Sequence, residues 1–277
     1  MHLSIADIES RAIVHRTACG SGSMVWRSWG QGQPVVLLHG GSGSWLHWIK
    51  TIPALVAANC EVFAADMPGL GDSAMPDVPL TAEHCGRIVA DGLSQLIADH
   101  RRPHLVGFSF GAHVGTFAAI DLGDRLSSFT LTGCAALGLP HNYVDLLKAD
   151  PDIVDVTPDD RHRRNLATLM FANPALIDDM AIRIQAQNIA KARFRSRAFA
   201  KSNAIAVNLP RVRVPVQAIW GEQDVLATPS IDARFTILRQ GHPDLVTRIV
   251  PRAGHWAMYE QADAFNAALL DLLDLPR

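Results

Sequence analysis

The chain has few cysteines and pairs none of them. Cys19, Cys60, Cys85 and Cys134 are scattered through 277 residues without a C-x-x-C spacing, which excludes a zinc knuckle and argues against a disulfide framework. The 12 histidines include no H-E-x-x-H. The i, i+4 pair His100 and His104 is interrupted by Pro103, which breaks the helix that would bring both rings to one face. No metal site is therefore expected. No charge of one sign dominates: 25 Lys and Arg stand against 27 Asp and Glu, leaving no basic field for nucleic acid. Apolar runs such as Val35-Val36-Leu37-Leu38 fall far short of the ~20 residues of a membrane span. The opening MHLSIADIES carries two acids and no apolar h-region, so no secretory signal is read there and a cytoplasmic location is expected.

What the chain does have is material for a large core, with 48% hydrophobic and 19% charged residues. Short apolar runs at 35–38, 62–65, 104–108, 129–132, 216–220 and 247–250 read as strands. Helical patterns lie between them, as at 82–99, where Ile88, Leu93, Leu96 and Ile97 approximate a 3.6 period. Near-continuous apolar strands alternating with helices predict an α/β fold, with a mostly parallel sheet covered by helices on both faces. Residues 5–29 read as an antiparallel entry of one or two strands. The rhythm breaks at 135–209, which opens near Pro140, carries an acid- and proline-rich stretch from Asp150 to Asp160, and then looks helical. A crossover needs only a dozen or so residues, so 135–209 reads as a helical insertion into one α/β domain made of 1–134 and 210–277. Within it Lys191, Arg193, Arg195, Arg197 and Lys201 form a basic run. The run is either a solvated face or the source of an arginine for a substrate carboxylate.

The central chemical signal is Gly107-Phe108-Ser109-Phe110-Gly111, between strand 104–108 and a helix rich in small residues. A serine on such a tight turn is held in a strained conformation with its hydroxyl above the sheet. It needs a base. His255 follows the last strand and Asp224 follows strand 216–220, so both lie beyond strand C-termini, where open parallel sheets place ligands. Glu222 competes for the acid position. The end of strand 129–132, Gly133-Cys134-Ala135-Ala136, offers no carboxylate and favours Asp224. The loop His39-Gly40-Gly41-Ser42-Gly43 is a poor dinucleotide fingerprint, because Leu46 stands where the third glycine belongs. An oxyanion hole from the amides of Gly41 and Phe110 fits better, with His39 bracing the loop.

Together these pieces, with Asp66-Met67-Pro68-Gly69-Leu70-Gly71-Asp72-Ser73 and Gly221–Asp224, resemble the α/β-hydrolase family over nearly the whole chain. The resemblance implies a cofactor-free enzyme acting on a small-molecule substrate, with the insertion in the place of that family's helical cap. Serine at the elbow separates it from the dehalogenases and epoxide hydrolases that use aspartate there. Gly254-His255-Trp256-Ala257-Met258-Tyr259-Glu260 is similar to the C-terminal motif of meta-cleavage-product hydrolases, which break carbon–carbon bonds. The glycine loop departs from that group: it lacks the Pro-Gly, and His47 stands in the place of an asparagine. The expectation is accordingly a serine hydrolase of small to medium carboxylic esters, with Ser109, His255 and Asp224 as triad. Carbon–carbon hydrolysis and a non-catalytic ligand-binding role are the alternatives. Trp45, His47, Trp48, Phe108, Arg193, Arg195 and Trp256 are candidate pocket residues because they adjoin these positions or, for the arginines, could pair with an anionic substrate.

Overall fold

The computed structural model describes residues 4–140, 142, 144–148 and 156–275. Its strands are β1 (Ile13–Cys19), β2 (Gly22–Gly30), β3 (Gln33–Leu38), β4 (Cys60–Asp66), β5 (His104–Phe108), β6 (Ser128–Thr132), β7 (Val216–Gly221) and β8 (Val246–Val250). They form one sheet in the order β1-β2-β4-β3-β5-β6-β7-β8. β2 pairs antiparallel with β1 and β4, and every later neighbour is parallel. Each apolar run became a strand within two residues of its expected bounds. The N-terminal region differs in one respect, since a short helix, Ile5–Glu9, precedes β1. Ser4 Oγ caps it by accepting from the Asp7 amide, and the Trp29 indole donates to the Ile8 carbonyl at 2.8 Å.

Why the sheet needs both faces covered is visible in β3. Successive side chains of a strand point to opposite faces, and here those from Pro34 to Leu38 are all apolar. Val36 and Leu38 join the cluster containing the helix Ala82–Leu96 and the helix Phe110–Leu122. Val35 and Leu37 join the opposite cluster with Ile52, Leu55, Phe265 and Leu269. Helix starts are marked by capping side chains. Thr81 Oγ accepts from His84 N and Ser230 Oγ from Ala233 N.

Between β6 and β7 the described residues contain helices and no strand. Asp150 to Asp155 of the acidic stretch lie outside the described residues, but its end forms the start of the helix Pro158–Leu169. Thr157 caps that helix, with Pro158 at its first position and Asp159 and Asp160 in its first turn. A second helix, Asp179–Lys191, and short turns follow. Leu166, Met170, Phe171, Ala181, Ile182 and Ile184 join the core cluster that also holds Trp256 and Tyr259. This helical excursion is thus anchored on the loops beyond the strand C-termini.

Burial keeps two histidines, one partly and one almost wholly enclosed, from becoming charged near neutral pH. Burial holds the imidazoles of His104, on β5, and His113, in the helix after it, down to about 4. The ordinary histidine value is near 6.5. Above that value neither the folded nor the unfolded chain binds the proton. Below it only the unfolded chain does, until the folded value is reached. Stability should therefore be full near pH 7 and decline as the pH falls from about 6.5 to about 4. Thermal melts across that range are expected to show His113→Leu with a shallower decline than the parent. An equal slope in the two proteins would remove His113 from the account.

Candidate active site

Ser109 lies between β5 and the helix Phe110–Leu122 with φ 51° and ψ −112°, a conformation that side chains other than glycine rarely adopt. Two close approaches hold it. A Cβ at Gly107 would meet the Ala112 α-carbon at 2.6 Å, and one at Gly111 would collide with the Leu38 and His39 carbonyls. Only glycine lets strand and helix approach so closely. The Ser109 amide donates to the Thr132 carbonyl at 2.8 Å, tying the turn to the neighbouring strand. The result is a partly exposed hydroxyl at the N-terminus of a helix whose dipole favours negative charge.

The structure brings His255 and Asp224 together. His255 Nδ1 lies 2.9 Å from Asp224 Oδ2, and both side chains are almost wholly buried. The other carboxylate oxygen of Asp224 accepts from the Leu226 amide at 2.9 Å. An imidazole gripped at Nδ1 by a carboxylate presents Nε2 as a base. The Phe108 ring packs against the imidazole at a centroid distance of 4.9 Å, and a Cβ at Gly133 would come within 3.3 Å of both rings. Glu222, the competing acid, instead accepts from the Arg252 amide at 2.8 Å.

The glycine loop is braced from beneath. His39 Nδ1 donates to the Gly40 carbonyl at 2.7 Å while its Nε2 accepts from the Met67 amide at 2.9 Å, which fixes a neutral tautomer. Asp66 accepts from the amides of Trp45 and Asp72 and from Arg27. His47 Nδ1 accepts from the Gly40 amide at 3.2 Å. Burial, reinforced by His39 and His255, pushes the His47 imidazole well below its ordinary range, so it stays neutral. Among the described residues neither the Gly41 nor the Phe110 amide donates to a protein acceptor, which leaves both available to a substrate oxygen.

Several pocket expectations are corrected by packing. Trp48 is fully buried between Phe108 and Phe265. Trp45 packs on Trp29 beneath the Arg27 guanidinium. Trp256 is fully buried too, its indole donating to the His47 carbonyl at 2.9 Å. Phe108 backs His255, and His47 braces the glycine loop. Arg193 is turned away: its guanidinium donates to the Gly71 and Ser73 carbonyls, while Arg195 is exposed. Lys191 pairs with Asp72, so the start of the basic run grips the segment after β4 because unpaired carbonyls and a carboxylate are there.

Three side chains at the site escaped sequence reasoning. Glu260 accepts from the amides of Ala172, Asn173 and Gly254 at 2.7–3.0 Å, tying the excursion to the residue before His255. Arg234, buried, donates to the carbonyls of Cys134, Leu226 and Thr228 and holds the loop after Asp224 against the end of β6. Ser196 lies against Gly41. Glu260 sat within a motif already noticed, whereas nothing in the spacing of the other two marks them.

Residues 35–268 match the model of the alpha/beta hydrolase family, and the chain belongs to that family of hydrolases. It is 30% identical to the 2-hydroxy-6-oxo-6-phenylhexa-2,4-dienoate hydrolase of Burkholderia cepacia, over 88% of each chain. It is 26% identical to the 2-hydroxy-6-oxononadienedioate/2-hydroxy-6-oxononatrienedioate hydrolase of Cupriavidus pinatubonensis, over 98% of this chain and 94% of that one. The fold is shared with a meta-cleavage product hydrolase from Pseudomonas fluorescens IP01, with a TM-score of 0.74 at 21% identity over 94% of this chain and 97% of the other. Among the described residues no cluster of three or more metal-ligating side chains occurs, and no helix is long and apolar enough to cross a membrane.

The two carboxylates make opposite predictions. Asp224→Asn replaces the acceptor facing His255 Nδ1 and should lower turnover by up to about 10⁴-fold, the loss seen when an imidazole is left in the wrong tautomer. Glu222→Gln should stay within about twofold of the parent. Steady-state rates on any hydrolysed substrate compare them, and a larger loss in Glu222→Gln would exchange their roles.

Proposed function

We propose that the protein hydrolyses the carbon–carbon bond beside the 6-carbonyl of a 2-hydroxy-6-oxo-dienoate. The single observation supporting this over the ester hydrolysis expected from sequence is the near full-length match to hydrolases named for such substrates. Ser109 is the nucleophile, His255 the base and then the acid, Asp224 the group that orients the imidazole, and the Gly41 and Phe110 amides the oxyanion donors.

The chemistry follows from what a carbon leaving group requires. A C–C bond next to a carbonyl breaks only if the departing electron pair is delocalised. The 2-hydroxydienoate must therefore first become its 2-oxo tautomer, the proton moving from the 2-oxygen to C5. Ser109 Oγ then bonds to C6 as His255 takes its proton, and the C6 oxygen becomes an oxyanion facing the two amides. As that oxyanion re-forms the carbonyl, the C5–C6 bond breaks and its electron pair ends on the 2-oxygen, which takes up a proton. An acyl-enzyme remains. Water, deprotonated by His255, attacks it and releases a carboxylic acid and Ser109.

The excursion's face toward the site is aromatic. Phe194 and Phe199 pack on Phe110 at centroid distances of 5.5 and 5.8 Å. This supports an apolar 6-substituent rather than a second carboxylate. Ester hydrolysis is the second reading, favoured by the engagement of Arg193 with backbone carbonyls, which leaves the expected clamp for a dienoate carboxylate without its arginine.

The readings separate in one comparison. A 6-aryl-2-hydroxy-6-oxo-dienoate, followed by loss of its visible absorbance, is expected to exceed a short-chain p-nitrophenyl ester in kcat/KM by at least about 100-fold, or about 2.7 kcal/mol of differential transition-state binding. Faster ester turnover would establish the second reading instead.

A further inference from the structure

The oxyanion end of the site contains a hydroxyl that belongs to neither the elbow nor the glycine loop. Ser196 opens the short turn Ser196–Phe199 of the excursion. It is 8% exposed, and its hydroxyl has no hydrogen-bond partner among the described residues.

Its position is narrow. A Cβ on Gly41 would collide with Ser196 Oγ, approach Ser196 Cβ to 3.2 Å and lie 3.8 Å from Phe110 Cβ. The residues bearing the two candidate oxyanion amides therefore converge on the same small volume as this hydroxyl. Glycine at 41 is what lets the hydroxyl reach it. The aromatic neighbours fix the approach, since Phe194 and Phe199, two residues before and three after Ser196, both pack on Phe110.

We propose that Ser196 is a third hydrogen-bond donor at the oxyanion hole, its hydroxyl donating to the substrate carbonyl oxygen as negative charge develops there. The proposal rests on Ser109 being the nucleophile but not on which bond is hydrolysed, because ester and carbon–carbon cleavage both place charge on that oxygen. A donor aimed at developing charge lowers the barrier more than it strengthens substrate binding. Because this donor sits on the excursion, correct seating of those helices becomes part of the rate as well as of the pocket's shape.

The test uses Ser196→Ala, which removes one oxygen atom, and Ser196→Thr, which restores a hydroxyl. Both are measured for kcat and KM on the better substrate. Both are also measured for inhibition by an aryl trifluoromethyl ketone, whose adduct with a serine carries an oxyanion, and by the product carboxylic acid. Melting temperatures check that the variants fold.

Ser196→Ala is expected to lower kcat by about 10- to 100-fold and to weaken the ketone by the same factor. KM and the affinity for the product acid should stay within about twofold, and Ser196→Thr should recover most of the loss. The proposal is overturned if Ser196→Ala stays within twofold of the parent in kcat and ketone affinity. It is equally overturned if ketone and product acid weaken together, or if Ser196→Thr is as impaired as Ser196→Ala, because either pattern marks a packing role. A parent that forms no ketone adduct would remove the nucleophile, and this proposal with it. An adduct that forms equally well in the parent and in Ser196→Ala would remove the Ser196 role alone.

Discussion

The structure depends on the backbone conformation of Ser109. A side-chain-bearing residue at φ 51° persists only where its surroundings over-determine it. Here the parallel sheet fixes β5 on both sides, through β3 and β6. The helix after the turn presses so closely that Gly107 and Gly111 cannot carry side chains. The Thr132 carbonyl holds the Ser109 amide. The same geometry leaves Ser109 partly exposed and, among the described residues, leaves the Phe110 amide at the helix N-terminus without an acceptor. The proposed nucleophile and one proposed oxyanion donor therefore share one strained turn.

Around that turn, loops beyond the strand ends are held by buried polar groups acting on backbone. Asp66 and His39 brace the glycine loop. Glu260 joins the residue before His255 to the excursion, and Arg234 joins the loop after Asp224 to the end of β6. Burial lowers the Arg234 guanidinium from its usual range, with Cys134 and then Asp224 opposing the shift. Charge-assisted bonds of this kind are stronger than neutral ones. A loop has no sheet ladder of its own to fix it, and these bonds supply that constraint.

The core strands were legible because a strand buried on both faces must be apolar at every position, as 35–38 is. The candidate site was legible where local backbone demands glycine, at 107, 111 and 41, and where chain order places an acid and a histidine after strands. What stayed hidden is tertiary. Nothing in the local pattern of Arg193 says that its guanidinium will meet the carbonyls of Gly71 and Ser73 rather than a substrate. Trp256 beside His255 and Trp48 near the glycine loop looked like pocket walls, yet both are fully buried, Trp48 against Phe108 and Phe265 and Trp256 against His47, Phe171 and Tyr259. Ser196 reads as one polar residue in a basic run until packing sets it against Gly41. The helix Ile5–Glu9 was missed because its Ser4 cap precedes too few residues to show a period.

The most direct test of the central claim is covalent. A fluorophosphonate transfers its phosphonyl group, with loss of fluoride, to an activated serine, and intact-mass measurement with peptide mapping reports where it goes. The account predicts one adduct per chain, located on Ser109, formed rapidly in the parent and at least about 100-fold more slowly in His255→Ala, where the base is gone. Labelling of another serine, or labelling of Ser109 at an undiminished rate without His255, would contradict it.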